Sequence, residues 1–293
     1  MIVPLPAGGA VDALARIFSD HMRATLGQPF VIENVSGAGG TLGVGRVARA
    51  APDGYTLGIG NTSSYVYAGA IYPVQFDLQK DFEPVVLLPN VPHWIVAREA
   101  LPAQDLKEFI GWLKANPDKA SAGTTGAGGG AHLCAIYMQS NTGTRFQQVP
   151  YRGGAPALQD LVAGQIDFMC DLAANSLPQV RSGNIKAYAV MAKTRWFAAP
   201  DTPTADEAGL PGIYVSTWHG LWASKGTPKD IVGKLNSAAV SAMADPAVRR
   251  RIADQGMEIP PREQQTPEAL GAFHKAEIEK WWPLIKAANV KPE

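Results

Sequence analysis

The chain has 293 residues, of which 46% are hydrophobic and 18% charged, with 26 basic side chains against 26 acidic ones. This composition is typical of a globular protein, and a formal net charge of zero argues against a nucleic-acid-binding surface. No apolar segment reaches the length that a membrane-spanning helix requires.

The first predicted elements are a short strand at Ile2-Val3, the loop PLPAGG at residues 4–9, and a helix that follows. Apolar residues from Val11 to Leu26 recur at helical spacing, and Gly27 ends the pattern. A strand, a glycine turn and a helix N-terminus together present backbone N–H groups without helical partners. We therefore expect this loop to bind an anion.

The same order of strand, polar or glycine-rich loop and helix recurs along the chain, which predicts an α/β protein with largely parallel sheets. In such sheets, ligands bind at the carboxyl ends of the strands. Three helices that each begin near a proline are predicted towards the C-terminus, at about 228–244, 246–255 and 267–288. The predicted strand-to-loop units lie at 30–43, 56–64, 120–130 and 146–154, and further buried strands at 84–88, 94–97, 166–171 and 186–192.

The glycine-rich loops do not match nucleotide-binding motifs. GAGGTLG (37–43) has Leu42 where a dinucleotide fingerprint needs its last glycine, and no acidic residue follows at the required distance. TTGAGGG (124–130) lacks the Gly-Lys-Ser/Thr ending of a phosphate-binding loop. We predict no cofactor.

No arrangement of residues typical of nucleophilic catalysis or of a zinc site is present, and His132 is expected to cap or pack against a helix start. An enzyme remains the alternative, a small-molecule hydrolase or isomerase that uses Asp171 or Asp12 as a base. Cys134 and Cys170 fall in apolar segments. We expect two buried free thiols, and a disulfide between them is the alternative.

Several motifs together resemble the receptors of tripartite tricarboxylate transporters, the TctC or Bug family. The resemblance covers essentially the whole chain. Its motifs follow one another in order: PLPAGGAVD, IENVSGAGGTLG, ARAAPDGYTL, KDFEPV, VPYRGGAPALQDLVAGQIDFM, PTADEAG and GTPKDIVGKLN.

The resemblance implies a two-domain periplasmic binding protein of the Venus-flytrap type, not an enzyme, with two chain crossings between the domains. We place domain 1 at residues 1–100 and 222–293 and domain 2 at 101–221. A small organic carboxylate is expected to bind between the domains and to close them. The implied protein is a periplasmic monomer whose leader lies outside this sequence, and it docks transiently to a membrane permease.

The family's binding loops map onto this chain residue by residue. Ala7 replaces a proline of the usual P-P-G-G-S-T-D, and Ala10 and Val11 replace its two hydroxyl residues. Helix-end electrostatics is an equal alternative for Asp12, and a structural ion pair is an alternative for Arg152 and Asp171. The predicted ligand-binding residues are Pro6, Ala7, Gly8, Gly9, Ala10, Val11, Asp12, Asn61, Ser63, Ser64, Tyr65, Thr125, Gly126, Ala127, Tyr151, Arg152, Gly153 and Asp171.

The ligand's carboxylate is expected to accept hydrogen bonds from the N–H groups of residues 8–11 and 125–127. Tyr65 and Trp94 lie near predicted strand ends. Together with the lost hydroxyl groups, they favour a ligand with an apolar or aromatic body over citrate.

Overall fold

A computed structural model describes residues 1–292, which divide into two compact units. Unit 1 contains residues 1–90 and 218–292, and unit 2 contains residues 91–217. Each unit combines a β-sheet with helices, as the α/β prediction requires. The domain boundaries predicted after residues 100 and 221 lie further along the chain than the unit boundaries after residues 90 and 217. The prediction placed both boundaries at strand ends. The strands instead continue across each boundary.

The strands are short apart from two. In chain order they are β1 (Ile2–Val3), β2 (Glu33–Asn34), β3 (Leu57–Asn61), β4 (Phe82–Arg98), β5 (Ser121–Thr124), β6 (Gln147–Pro150), β7 (Phe168–Leu172), β8 (Ile185–Val190) and β9 (Ser216–Ser224).

The helices follow the strands closely in the chain. They are α1 (Ala10–Leu26), α2 (Thr41–Ala48), α3 (Ala68–Ile71), α4 (Leu106–Ala115), α5 (Gly130–Thr142), α6 (Gly154–Val162), α7 (Ala173–Arg181), α8 (Lys229–Ala244), α9 (Pro246–Asp254) and α10 (Pro267–Ala287). The predicted proline starts are confirmed. Pro246 and Pro267 occupy the first turns of α9 and α10. The side chains of the preceding residues, Asp245 and Thr266, cap these helices by accepting hydrogen bonds from first-turn N–H groups.

In unit 1, β1 lies between β2 and β3 and is parallel to both. β9 pairs with β3 in the antiparallel direction, with Gly60 opposite Gly220. In unit 2 the strand order is β8-β4-β7-β5-β6. β5 is parallel to β6 and β7, while β4 is antiparallel to β7 and β8. The sheets are therefore mixed, because β4 and β9 run against the parallel strands that the loops follow.

Two local predictions were wrong. The apolar run at residues 30–32 is not a strand; β2 begins at Glu33, and Val31 is 68% exposed. The two strands predicted at 84–88 and 94–97 form the single strand β4. Asn90 lies between the two predicted strands, and its backbone pairs with Glu258 on an adjacent segment, which keeps it extended.

The core of unit 1 contains an aromatic cluster over β3. The Tyr65 ring stacks on Trp222 with 3.7 Å between ring centroids. A Cβ at Gly58 would lie 2.2 Å from the Tyr65 hydroxyl, and one at Gly60 would lie 2.4 Å from the ring. The glycines of β3 therefore let the ring lie flat on the sheet.

The core of unit 2 contains Trp94 on β4, which packs edge to face against Trp196. The Trp94 indole N–H donates to the Ser176 hydroxyl at 2.8 Å, so its one polar atom is satisfied inside the core. These contacts fix the sheet from which the loops of unit 2 project.

Candidate ligand-binding loops

The first predicted loop joins β1 to α1 and is open to solvent. Residues 6–10 are exposed, and Gly8 adopts a φ of +84°, a conformation that favours glycine. Gly9 is the N-cap of α1, and no side chain caps this helix start. Val11 is buried, so its side chain belongs to the core and only its backbone N–H faces the loop. The loop thus presents the N-terminus of a 17-residue helix.

Asp12 has a structural role in this loop. Its Oδ2 accepts hydrogen bonds from the Gly8 N–H and the Arg16 Nε, both at 3.0 Å. Its Oδ1 accepts from Arg16 Nη2 and from the Asn34 amide, both at 3.1 Å. Because the hydrogen bonds from Arg16 and Gly8 favour the ionised form, the pKa of Asp12 falls to about 2.

These hydrogen bonds have two consequences for the predicted anion-binding loop before α1. The N–H of Gly8 is donated to the Asp12 carboxylate, so it is engaged within the loop itself. The carboxylate of Asp12 is 4% exposed and accepts four hydrogen bonds, which favours the structural alternative over ligand contact. Asn34, which sequence reasoning missed, also donates to the Leu5 carbonyl at 3.1 Å and thereby fixes the loop.

The second loop of unit 1 follows β3. Asn61 and Ser64 bond to each other: the Asn61 Oδ1 accepts from the Ser64 N–H at 3.2 Å, and the Ser64 Oγ accepts from the Asn61 N–H at 3.1 Å. Both side chains are buried, whereas Ser63 is half-buried. The side chains of Asn61 and Ser64 therefore form the hydrogen bonds of this turn, and the Ser63 hydroxyl takes no part in them.

The two aromatic side chains near the predicted strand ends are buried in the cores of the units. Tyr65 is 0% exposed in the unit 1 core, and its carbonyl accepts from His274 Nε2 at 2.6 Å. Trp94 is 0% exposed in the unit 2 core. Neither ring lines an open loop, so the argument for an aromatic ligand loses its basis.

The glycines of residues 37–43 serve packing. A Cβ at Gly43 would lie 2.7 Å from the Val35 carbonyl oxygen and 2.8 Å from the Pro4 Cα. A Cβ at Gly40 would lie 2.9 Å from Ser64 Cβ and 3.1 Å from the Pro4 carbonyl oxygen. These glycines therefore bring the two loops of unit 1 side by side, which explains the motif without a nucleotide.

In unit 2, the first predicted loop joins β5 to α5. Gly126 and Gly128 have positive φ angles of +66° and +74°, and Gly129 is the N-cap of α5. His132 Nδ1 accepts a hydrogen bond from the Gly128 N–H at 2.9 Å, which confirms the expectation that His132 caps this helix start. Thr125 and Gly126 are half-buried and Ala127 is exposed, so the loop faces solvent.

The loop before α6 lies beside it. The Tyr151 N–H donates to the Thr124 carbonyl at 2.9 Å, and the Tyr151 hydroxyl donates to Asp160 Oδ2 at 2.7 Å. Gly153, with a φ of +110°, is the N-cap of α6. Arg152 is exposed, and within residues 1–292 its guanidinium forms no ion pair.

Asp171 lies at the end of β7 and is 3% exposed. Its Oδ1 accepts from the Asn175 amide at 3.4 Å, and its Oδ2 has no hydrogen-bond partner. Burial raises the pKa of Asp171 to about 6. A Cβ at Gly154 would lie 3.7 Å from its Oδ1, so the start of α6 is adjacent. The ion pair between Arg152 and Asp171 is not formed.

Cys134 on α5 and Cys170 on β7 form a disulfide, with their Cα atoms 6.1 Å apart. The expectation that favoured free thiols was wrong. The two residues are 36 positions apart, and only the packing of α5 on β7 brings them together. No sequence signal distinguishes this pair from two separate buried thiols.

Two kinds of feature are absent from residues 1–292. No group of three or more His, Cys, Asp and Glu side chains is arranged to hold a metal ion. No helix in that range combines the length and the apolar character that a bilayer crossing needs.

Comparison with known proteins identifies the family. The family model described as "Tripartite tricarboxylate transporter family receptor" matches residues 14–290. A relative from Agrobacterium vitis, the UPF0065 protein in the TAR-I ttuE-ttuC' intergenic region, is 39% identical over 290 residues, which are 99% of this chain and 84% of the relative.

Two solved structures are similar over nearly their whole length. MatC (Rpa3494) from Rhodopseudomonas palustris, solved with bound malate, is 41% identical with a TM-score of 0.79, covering 97% of each chain. Rpa4515 from R. palustris, solved with adipate, is 30% identical with a TM-score of 0.80, covering 100% of this chain and 97% of that one.

Proposed function

This chain belongs to the tripartite tricarboxylate transporter receptor family, and on that premise we propose that it is an extracytoplasmic receptor for a short aliphatic dicarboxylate. The receptor delivers its ligand to a membrane permease, to which it docks transiently as a monomer. Two relatives solved with malate and with adipate support the ligand class.

The observation that carries the proposal is the exposed guanidinium of Arg152. It stands directly before Gly153, the N-cap of α6, and α6 starts without a side-chain cap. A free cation beside uncapped backbone N–H groups favours a carboxylate. The chain offers a similar uncapped start at Gly9 of α1.

An aliphatic ligand is favoured because neither Tyr65 nor Trp94 is available to stack on an aromatic ring. A free amino group on the ligand is disfavoured by the state of Asp12, whose carboxylate already accepts four hydrogen bonds. These features favour malate or adipate over an amino acid or an aromatic acid.

A periplasmic location is part of the proposal. The Cys134–Cys170 disulfide supports it, because disulfides persist in oxidising compartments such as the bacterial periplasm. The family assignment supports the same location.

Isothermal calorimetry with malate, adipate and their dimethyl esters tests the proposal. We expect at least one free acid to bind and its neutral ester to bind more than about tenfold more weakly, since hydrogen bonds to charged groups contribute about 1.5–3 kcal/mol. Equal binding of acid and ester would contradict a carboxylate site.

Arg152→Gln tests the cation directly. We expect it to weaken binding of the acid by about tenfold or more while leaving the melting temperature nearly unchanged. Arg250→Gln is the matched control, because Arg250 is also exposed and forms no ion pair within the described chain. Equal ligand affinity in the two variants would show that Arg152 does not bind the carboxylate.

An enzyme that acts through Asp171 is the second candidate, favoured by that residue's burial and raised pKa. Mass spectrometry of the ligand after long incubation with the protein separates the two functions. Stoichiometric recovery of unchanged ligand supports a receptor, whereas catalytic conversion supports the enzyme.

A further inference from the structure

The loop between β5 and α5, residues 125–129, lies between two attachments to neighbouring residues of β7. Before the loop, Gly123 on β5 pairs with Met169. After the loop, Cys134 on α5 is bonded to Cys170, the next residue of β7. The chain between these two anchors therefore leaves β7 and returns to it one residue further on.

The loop is rich in glycine. It contains three glycines, and Gly126 and Gly128 take positive φ angles. Glycine loses more conformational freedom on ordering than any other residue. Inside the loop turn, the Gly128 N–H donates to His132 and the Gly129 N–H donates to Gly126 at 3.3 Å. Ordering a glycine-rich loop around a ligand costs conformational entropy, which opposes binding unless the loop is already held in place.

We propose that the Cys134–Cys170 disulfide pre-organises the loop at residues 125–129 for anion binding, and so contributes to ligand affinity as well as to stability. The inference rests on the proposed function. The same bond lies next to Asp171, which follows Cys170 directly and is the last residue but one of β7.

The surroundings of the bond indicate a permanent anchor. Cys134 is 0% exposed and Cys170 is 1% exposed. Both sulfur atoms lie against the Met191 Sδ, at 3.3 and 3.4 Å. Buried in this way, the bond is shielded from thiols in solution, so it holds the loop at all times.

The test compares the native protein with Cys134→Ala/Cys170→Ala. The matched control is Tyr188→Phe. Tyr188 lies on the edge strand β8 of the same unit, and the substitution removes the hydrogen bond that its buried hydroxyl donates to the Ala103 carbonyl. Calorimetry with malate and adipate gives the affinity. Hydrogen exchange of the amides at 125–130 reports on the loop without any ligand, and thermal denaturation reports on stability.

We expect the double variant to bind about tenfold more weakly at a temperature well below its melting point, and its loop amides to exchange faster. Tyr188→Phe should lose stability with unchanged affinity and unchanged loop exchange. Loop exchange equal to that of the native protein, or affinity losses equal in the two variants, would overturn the proposal.

If the double variant fails to fold, native protein reduced with a phosphine during long incubation replaces it, and the same two measurements are made. Two free thiols in the purified native protein would also overturn the inference. Absence of binding to either acid by the native protein would count against the proposed ligand class only, because the exchange measurement still decides the role of the disulfide.

Discussion

The carboxylate of Asp12 accepts the backbone N–H of Gly8, four residues earlier, at 3.0 Å. This bond fixes the positive φ of Gly8 and closes the turn that leads into α1. An acidic residue in the first turn of a helix, which would commonly be read as a ligand contact or a helix-dipole partner, is thus part of the loop's own structure.

Replacing Asp12 should therefore weaken the loop and the fold together. Asp12→Ala removes the acceptor of the Gly8 N–H and one of the two acceptors of the Asn34 amide, and we expect a loss of about 1–3 kcal/mol in unfolding free energy. Chemical denaturation measures this loss. Asp20→Ala is the control on the same helix, because Asp20 is 69% exposed and should change stability by less than about 0.5 kcal/mol. Equal losses of unfolding free energy in the two variants would contradict the structural role of Asp12 in the loop.

Asp171 gives a pH dependence of the opposite sign to that of Asp12. Its folded-state pKa of about 6 lies above the unfolded value of 3.8, so the folded protein binds an extra proton between these pH values. Stability should therefore fall as the pH rises from about 4 to about 6, by up to about 3 kcal/mol for this buried group.

In Asp171→Asn, the free energy of unfolding should no longer fall in this way between pH 4 and 6. Denaturation at intervals between pH 4 and 7, with the native protein in parallel, makes the comparison. A difference between the two proteins that stays constant over this range would show that Asp171 does not titrate there.

Two glycines at helix starts should respond differently to a methyl group. A Cβ at Gly9 would meet only the Pro6 carbonyl oxygen at 3.6 Å, an ordinary contact, whereas one at Gly129 would lie 2.1 Å from the Thr125 carbonyl oxygen. We expect Gly9→Ala to fold with nearly native stability and Gly129→Ala to lose about 1–3 kcal/mol.

Gly9→Val extends this comparison to binding. The larger side chain should block an anion from the α1 N-terminus, so binding is lost while the melting temperature changes little. Native affinity in Gly9→Val would show that the ligand does not approach this helix start.

Tyr65 should tolerate the loss of its hydroxyl. The hydroxyl is buried and has no hydrogen-bond partner, so Tyr65→Phe should leave stability unchanged or increase it. Tyr65→Ala should lose about 3–5 kcal/mol because the stack on Trp222 is lost. Ligand affinity in Tyr65→Phe should equal that of the native protein, and a large loss of affinity would return Tyr65 to the binding site.

The local chemistry of the sequence was sufficient to predict the class of fold and the positions of the loops. Gly9 and Gly153 stand at the starts of α1 and α6, close to where glycine and proline spacing placed them. Helix periodicity, proline at first turns and glycine at turns act within a few residues, so they are legible in one sequence without any knowledge of the fold.

Tertiary structure decided which of the candidate residues face solvent and which bond to one another. Asp12 depends on Asn34, which lies 22 residues away, and Tyr65 stacks on Trp222 from the other end of the chain. Cys134 meets Cys170 only because α5 packs on β7. Burial and hydrogen-bond partners arise from segments that are distant in sequence, so a polar or aromatic residue at a loop carries the same local pattern whether it binds a ligand or supports the core.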